Sequence, residues 1–415
     1  MGYLEVIAFG QFLTEGADLF VSRLRNGPLV SNYHCAEWLA WNWWRLRWEP
    51  RAPAPEWSMA HRMSSIGYGY AWPNITIISD GERVSLEAKP SSDEKSGSFR
   101  YITDCTSIVR AVEFEGAVDL YVNQVISQLR AEGIAQTNLD RIWTELAMER
   151  RDPALSRQRR LEAMLGSEPG EADEAKLISL TGDAAELGEA AALEIAADAA
   201  GAGHVRTARD FEDAASSVGF HSRPGDAARL TADALLPPMG AVAAWKWGAL
   251  AAAQLRKQAG LELQPLSNEK LASLAGMAVR PLHDRKSRDA GMSFALDKGQ
   301  ASRVVFRSKV ATGRRFELAR LIGDRASLPP GLDRLHPSTR ANTYRQQLQR
   351  AFAAELLCPL PAIIEQLKGD FSPESISEAA QAYDISELAV QTTLVNNGFI
   401  ARDSLDDHFG HASAA

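Results

Sequence analysis

Apolar side chains alternate with polar ones in two short runs between residues 74 and 88. Residues 74–79 and residues 82–88 each place apolar side chains at every second position, which is the period of a β-strand. Asp80-Gly81 separates the runs and favours a tight type I′ turn. The pattern therefore predicts a β-hairpin. After it, apolar positions recur every three or four residues through 114–129 and predict an amphipathic helix.

Helical patterns surround one pair of short strands in the last part of the chain. We expect strands at residues 292–296 and 303–307, and long helices at residues 242–258, 314–323 and 341–357. The strands are separated by a polar turn. This arrangement predicts a mostly helical region that contains a small strand pair.

Two further short helices are predicted at about residues 370–400. Ser372 and Ser386 stand where helix N-caps are expected, and Gly398 is typical of a helix end. The pair resembles a helix-turn-helix. However, residues 370–400 contain no Lys or Arg to neutralise DNA phosphates, so we interpret the pair as a packing or protein-contact module.

The elements indicate an α+β fold in three parts. Residues 1–150 form a Trp-rich α+β domain. Residues 151–240 combine charged and Ala/Glu-rich helical sequence with Gly and Pro, which favours a helical connector with a flexible, solvated linker. Residues 241–415 form the mostly helical domain that ends in the helical pair.

Composition narrows the class of protein. The 415 residues are 45% hydrophobic and 24% charged, as in a globular protein, and no apolar run approaches the ~20 residues of a membrane-spanning helix. Three cysteines do not suit a disulfide scaffold, and the N-terminus lacks the basic segment of a secretory signal. A cytoplasmic location without a membrane partner is expected. The formal net charge of -8 disfavours nucleic-acid binding but leaves it open.

Two helical segments carry a family resemblance. Arg-Arg-Phe-Glu-Leu-Ala occupies residues 314–319, and Ala-Phe-Ala-Ala-Glu-Leu-Leu-Cys-Pro occupies residues 351–359. Their order over residues 245–400, with the strand pair before them and the helical pair after them, resembles the ImmA/IrrE family of zinc metallo-endopeptidases. In that family the first helix carries HExxH and the second supplies a third zinc ligand. The resemblance implies a degenerate zincin-like domain at residues 241–415.

The metal-binding positions of that family are altered in this chain. Arg320, Leu321 and Asp324 stand at the first His, the Glu and the second His of HExxH, and Gln346 stands at the third ligand. Two His four residues apart on a helix hold the zinc, and the Glu activates water. A guanidinium stays protonated and repels Zn²⁺. We therefore expect no metal, no cofactor and no peptidase activity, and we expect a buried Arg320–Asp324 ion pair with Gln346 nearby.

The histidines are scattered and form no ligand motif. We interpret His283-Asp284 and His336-Pro337 as loop residues.

The Trp-rich segment has two interpretations. Trp41, Trp44, Arg45 and Arg47 could form a docking or base-stacking surface. Alternatively, the tryptophans build a core with the arginines at its rim, which we favour.

Asp80 and Glu87-Ala88-Lys89 resemble the acidic-ExK arrangement of metal-dependent nucleases. If residues 82–88 form one strand, the two carboxylates would lie ~23 Å apart, too far to share a metal.

We therefore interpret the chain as a non-catalytic pseudo-metallopeptidase that binds a protein of unknown identity as a regulatory or adaptor component. The resemblance implies a setting in bacterial regulation, toxin–antitoxin pairs or phage defence. The alternative is a metal-dependent nucleic-acid enzyme, or a nucleic-acid-binding protein, that uses the N-terminal domain. Oligomeric state does not follow from the sequence.

Overall fold

The computed structural model describes residues 1–92, 99–231, 234–283, 290–328 and 331–401. These residues form a mixed α+β structure with about 52% helix and 14% strand in small antiparallel sheets, which confirms the predicted fold class. Among them, no helix combines the length and the apolar character that crossing a membrane requires.

The chain divides into two compact units, and each unit is discontinuous in sequence. Unit 1 consists of Met1–Gly182, Leu193–Val205 and Ala341–Tyr344. Unit 2 consists of Asp183–Ala192, Arg206–Arg340 and Arg345–Ala415. This division into two units does not test the predicted three-domain organisation, which stays a prediction.

The described strands of unit 1 form four small antiparallel sheets. Strand β1 (Gly2–Tyr3) pairs with β6 (Leu29–Val30), β2 (Ile7–Ala8) pairs with β3 (Gln11–Phe12), β4 (Gly16–Asp18) lies between β5 (Arg23–Arg25) and β9 (Phe99–Tyr101), and β8 (Arg83–Ala88) lies between β7 (Ile75–Ser79) and β10 (Cys105–Arg110). The β7–β8 pair is the predicted hairpin. Gly81 in its turn has a φ of 101°, which only glycine adopts readily.

Helices cover the sheets of unit 1. They are α1 (Asn32–Trp41), α2 (Trp43–Trp48), α3 (Pro55–His61), α4 (Ala111–Ala131), α5 (Asn138–Arg151) and α6 (Pro153–Met164). The predicted amphipathic helix is α4, which buries Phe114 and Val118. Trp43 and Trp44 lie in the hydrophobic core with Ile75, so the core interpretation of the tryptophan cluster is confirmed for these two residues.

The predicted connector is largely helical, and its helices bury apolar side chains. Two successive helices, α7 (Glu174–Leu187) and α8 (Glu189–Ala202), bury Leu187 and Ile195. The expected solvated acidic face is also interrupted, because Glu194 is buried and accepts a hydrogen bond from Thr343 Oγ1 at 2.8 Å. The runs of Ala, Leu and Glu outweigh the occasional Gly, since each of them favours helix.

Unit 2 contains one four-stranded antiparallel sheet in the order β11–β13–β12–β14. Its middle strands, β12 (Ser293–Lys298) and β13 (Ala301–Val305), are the predicted pair. The flanking strands β11 (Phe220–Ser222) and β14 (Leu335–Ser338) were not expected. Each is short and contains polar residues, and β14 contains Pro337, which sheets tolerate at an edge.

The helices of unit 2 are α9 (Ala208–Val218), α10 (Ala244–Gln258), α11 (Asn268–Leu274), α12 (Arg280–His283), α13 (Ala311–Ser327), α14 (Tyr344–Leu357, which belongs to unit 2 from Arg345), α15 (Leu360–Leu367), α16 (Pro373–Tyr383) and α17 (Glu387–Asn396). Helices α9 and α13 pack against the sheet. Ser372 and Ser386 cap α16 and α17, as expected. His283, expected in a loop, ends α12, and its neighbour Asp284 lies outside the described residues.

Candidate functional site

Helix α13 carries three of the four predicted positions and is buried on nearly every side. From Arg314 to Arg325 every residue is buried except Phe316, which is half-buried. Burial is therefore not confined to one face of this helix. Charged side chains can be buried on this helix because most of them find hydrogen-bond partners on neighbouring elements of unit 2.

Arg320 forms hydrogen bonds with a residue near the start of α14 and with the residue that directly follows β14. Its Nη2 donates to Gln346 Oε1 at 2.6 Å and to the Thr339 carbonyl at 2.8 Å. Gln346 Oε1 also accepts from the Thr339 amide at 2.8 Å, and its Nε2 donates to the Pro337 carbonyl. Burial, with a smaller effect from Arg350, lowers the pKa of Arg320 to about 9. The guanidinium is therefore charged at neutral pH.

Asp324 lies one helical turn further along α13, and donors reach both of its carboxylate oxygens. Oδ1 accepts from Arg345 Nε at 2.7 Å and from Gln349 Nε2 at 2.8 Å. Oδ2 accepts from Arg345 Nη2 at 2.7 Å and has His336 Nδ1 at 2.8 Å. Although burial raises the pKa of Asp324, Arg345 and then His336 hold this pKa far below its usual value. Asp324 is thus a buried, fully ionised carboxylate.

The predicted ion pair between Arg320 and Asp324 is not formed. Arg320 contacts Gln346 and Thr339, whereas Asp324 pairs with Arg345 and His336. Residues four apart share a helix face but lie one turn apart along the axis. Arg320 and Asp324 therefore meet different partners on α14. Arg345 binds Asp324 in the bidentate geometry that guanidinium and carboxylate groups favour. The expectation that Gln346 contacts one of them from the facing helix is confirmed.

Asp324 and its partners Arg345, Gln349 and His336 form a polar cluster, the Asp324 cluster. His336 connects this cluster to the four-stranded sheet. It lies in β14 opposite Ala295 and is buried, so its expected loop position was wrong. Its Nε2 lies 3.5 Å from Asp297 Oδ2. Burial lowers the pKa of His336, but the hydrogen bonds to Asp297 and Asp324 raise it more, so that the net shift is upward. The protonated ring is therefore favoured more strongly here than in a free histidine.

A second arm of the cluster reaches β12 and β13. Arg325 donates to the Asp297 carboxylate and to Ser302 Oγ. Burial raises the pKa of Asp297, but its interactions with His336 and Arg325 bring the pKa down to about 2. Arg345 Nη1 also donates to Asp333 at 2.8 Å. The cluster thus ties α13 and α14 to the sheet through alternating positive and negative groups.

These side chains do not fit a zinc ion. A carboxylate has about four acceptor sites, and four donors already occupy those of Asp324. Arg320 places a cation at the position that the family resemblance assigns to the first ligand, and the Leu321 side chain has no acid–base chemistry. Within the described ranges, no three His, Cys, Asp or Glu side chains are grouped so that they could hold a metal ion.

The predicted partner surface of unit 1 is wrong for three of its four residues. Trp44, Arg45 and Arg47 are buried, and only Trp41, at 56% exposure, faces solvent. The three lie on the six-residue helix α2, which packs against α6 and β7. Their polar atoms bind inside unit 1: Trp44 Nε1 donates to Glu149, Arg45 to Glu49 and Glu168, and Arg47 to Glu115 and the Gly81 carbonyl.

The residues of the nuclease alternative lie at opposite ends of the β7–β8 hairpin. Asp80 accepts the backbone amides of Glu82 and Arg83 at 3.0 and 2.7 Å, which is a turn-forming role. Glu87 lies opposite Thr76 and pairs with Arg51 at 3.2 Å. Burial raises the pKa of Asp80 to about 6. The contacts of both carboxylates are thus those of structural residues.

Sequence reasoning found Arg320, Asp324 and Gln346 but missed the residues that hold them. Arg345 and Gln349 flank Gln346 on α14 at positions that meet the same helix, so their spacing was a usable signal. His336 gave no signal because β14 is too short to show a strand pattern.

Comparison with known proteins adds no assignment. No protein-family model, curated protein or solved structure matches this chain. The family resemblance therefore rests on the sequence pattern alone.

Proposed function

We propose that this chain is a non-catalytic relative of the ImmA/IrrE metallo-endopeptidases that acts by binding a protein partner. One observation carries the proposal: the two residues at the HExxH histidine positions are committed to protein hydrogen bonds. Arg320 binds Gln346 and Thr339, and Asp324 is saturated by Arg345, Gln349 and His336. A site built this way offers neither a metal ligand nor a base to activate water.

In this proposal the Asp324 cluster connects two helices, as a bound metal ion would in an active relative. A zinc ion in an active relative would join two helices through its ligands. Here Asp324 on α13 and Arg345 on α14 form that connection. Retaining the fold while losing the ligands is what a protein needs when it functions by binding alone.

Features outside the cluster support a protein partner rather than nucleic acid. Helices α16 and α17 expose acidic residues such as Glu374 and Glu378, and the stretch has no Lys or Arg to contact phosphates. In unit 1, Trp41 is exposed, and tryptophan is enriched among residues that dominate protein interfaces. We propose a regulatory or adaptor role in a bacterial regulatory, toxin–antitoxin or phage-defence module.

The experiment that tests this function uses the purified full-length chain and the products of the genes beside its own. With zinc added, one product is expected to co-elute with the chain and to stay uncut. Trp41→Ser should weaken binding by about tenfold or more, as loss of an interface tryptophan does. Leu120→Ser, at a residue that is 62% exposed on α4, is the matched control and should bind like the parent. Zinc-dependent cleavage of any product would refute the proposal.

A further inference from the structure

A polar cavity of about 270 Å³ lies in unit 2 next to the Asp324 cluster. Three arginines, one histidine and two aspartates supply its charged lining: Arg229, Arg325, Arg334, His336, Asp297 and Asp333. It lies among the end of α13, the β12–β13 turn and the start of β14. The volume suits a small polar molecule or one end of a larger one.

The carboxylates of this lining are already engaged by cations. Asp297 pairs with Arg325 and lies 3.5 Å from His336. Asp333 pairs with Arg345 at 2.8 Å. These two aspartates therefore offer little to a cationic ligand. Arg334 is also balanced, by Glu186 at 3.3 Å and Glu212 at 3.6 Å.

Two guanidinium groups that line the cavity have N–H donors without close acceptors among the described residues. Arg229 forms no ion pair with any described residue, and its only hydrogen bond there is a long one of 3.5 Å from Nη1 to the Arg325 carbonyl. Arg325 is 5% exposed, and its buried Nε has no hydrogen-bond partner in the described part of the chain. A buried donor without a partner is unfavourable, so an acceptor placed here would be stabilised by both groups.

We propose that this cavity binds a small oxyanion, the carboxylate or phosphoryl group of a ligand, through Arg229 and Arg325. Guanidinium groups present planar pairs of donors that match the oxygens of both anions. An apolar ligand would leave these donors unpaired, and a cation would meet two arginines. The site requires neither the metal positions nor a protein partner, so it extends beyond the proposed function.

Nuclear magnetic resonance of the full-length protein, labelled with ¹⁵N in its arginine side chains, tests the site. Inorganic phosphate and succinate are titrated separately at constant ionic strength, and the Nε–H signals are followed. Saturable one-to-one binding of at least one probe is expected. Arg229→Gln should weaken it about tenfold, the effect of losing one charge-assisted contact.

Arg223→Gln is the matched control. Arg223 precedes the cavity residue Pro224, its side chain is 72% exposed, and its Nη1 lies 3.9 Å from Asp226 Oδ2. Its loss should change binding by less than about twofold, since a distant exposed charge is screened by salt. Binding of phosphate alone assigns a phosphoryl ligand, and binding of succinate alone assigns a carboxylate; both support the site. Failure of both probes to saturate, or equal weakening by both variants, overturns it.

Discussion

Replacing Asp324 with alanine is expected to lower the free energy of unfolding by about 3–5 kcal/mol, the range for breaking a buried ion pair. Asp324 is 1% exposed and accepts hydrogen bonds from Arg345 and Gln349, with His336 Nδ1 at 2.8 Å. Without the Asp324 carboxylate, Arg345 still pairs with Asp333, but the hydrogen bonds that its Nε and Nη2 donate to Asp324 are lost. Chemical denaturation of the parent and the variant measures the loss.

The loss should depend on pH through His336. Its folded-state pKa is raised above 6.5, so its charge stabilises the parent below that pH, and this stability disappears as pH rises through the folded pKa. The variant lacks the Asp324 part of that stabilisation, so the difference between the proteins should be larger at pH 6 than at pH 9. Asp213→Ala, at a residue 76% exposed and 3.8 Å from Arg209, should cost less than about 1 kcal/mol. A variant at Asp324 that unfolds like this control would show that the cluster is not structural.

Replacing Glu49 with alanine is expected to lower the free energy of unfolding by about 3 kcal/mol or more. Glu49 is 4% exposed and accepts from Arg45 Nε at 2.7 Å, with His61 Nε2 at 3.0 Å. The other ring nitrogen of His61 lies 2.8 Å from the Ile77 carbonyl, which can only accept. His61 Nδ1 therefore donates, and the fully buried ring depends on Glu49 for its second partner.

The matched control for Glu49 is Asp104→Ala. Asp104 also pairs with a basic residue, Lys89, at 2.7 Å, but both side chains are more than half exposed. Such pairs contribute about 1 kcal/mol or less. Unfolding followed by tryptophan fluorescence should therefore separate the two variants clearly. Equal stability of the two would contradict a structural role for the buried Arg45–Glu49–His61 cluster.

Local patterns predicted several of the helices and strands that the structure contains. The Asp80-Gly81 hairpin, the caps at Ser372 and Ser386 and the strands at residues 292–296 and 303–307 all follow from short-range chemistry. Such features need only a few neighbouring residues to be recognised. Strands β11 and β14 were not predicted because a run of three or four residues is too short to show the alternation of a strand.

Partner choice inside the cluster could not be predicted in the same way. Arg320 and Asp324 are four residues apart, so local spacing favoured a pair between them. Asp324 instead binds Arg345, twenty-one residues later in sequence, and His336 on an unexpected strand. The burial of Arg47 was missed for a related reason, since its carboxylate partner Glu115 is distant in sequence. Arg45 pairs both with the nearby Glu49 and with the distant Glu168.

The zinc content of the full-length protein, purified without chelators, tests the central claim most directly. Because Arg320 stands where the proposed relationship places a zinc ligand and Asp324 is saturated by hydrogen bonds, elemental analysis is expected to find far less than one zinc per chain. Adding zinc should leave the melting temperature unchanged, since a metal that does not bind the folded state cannot stabilise it. About one zinc per chain, lost in Asp324→Asn, would contradict the account.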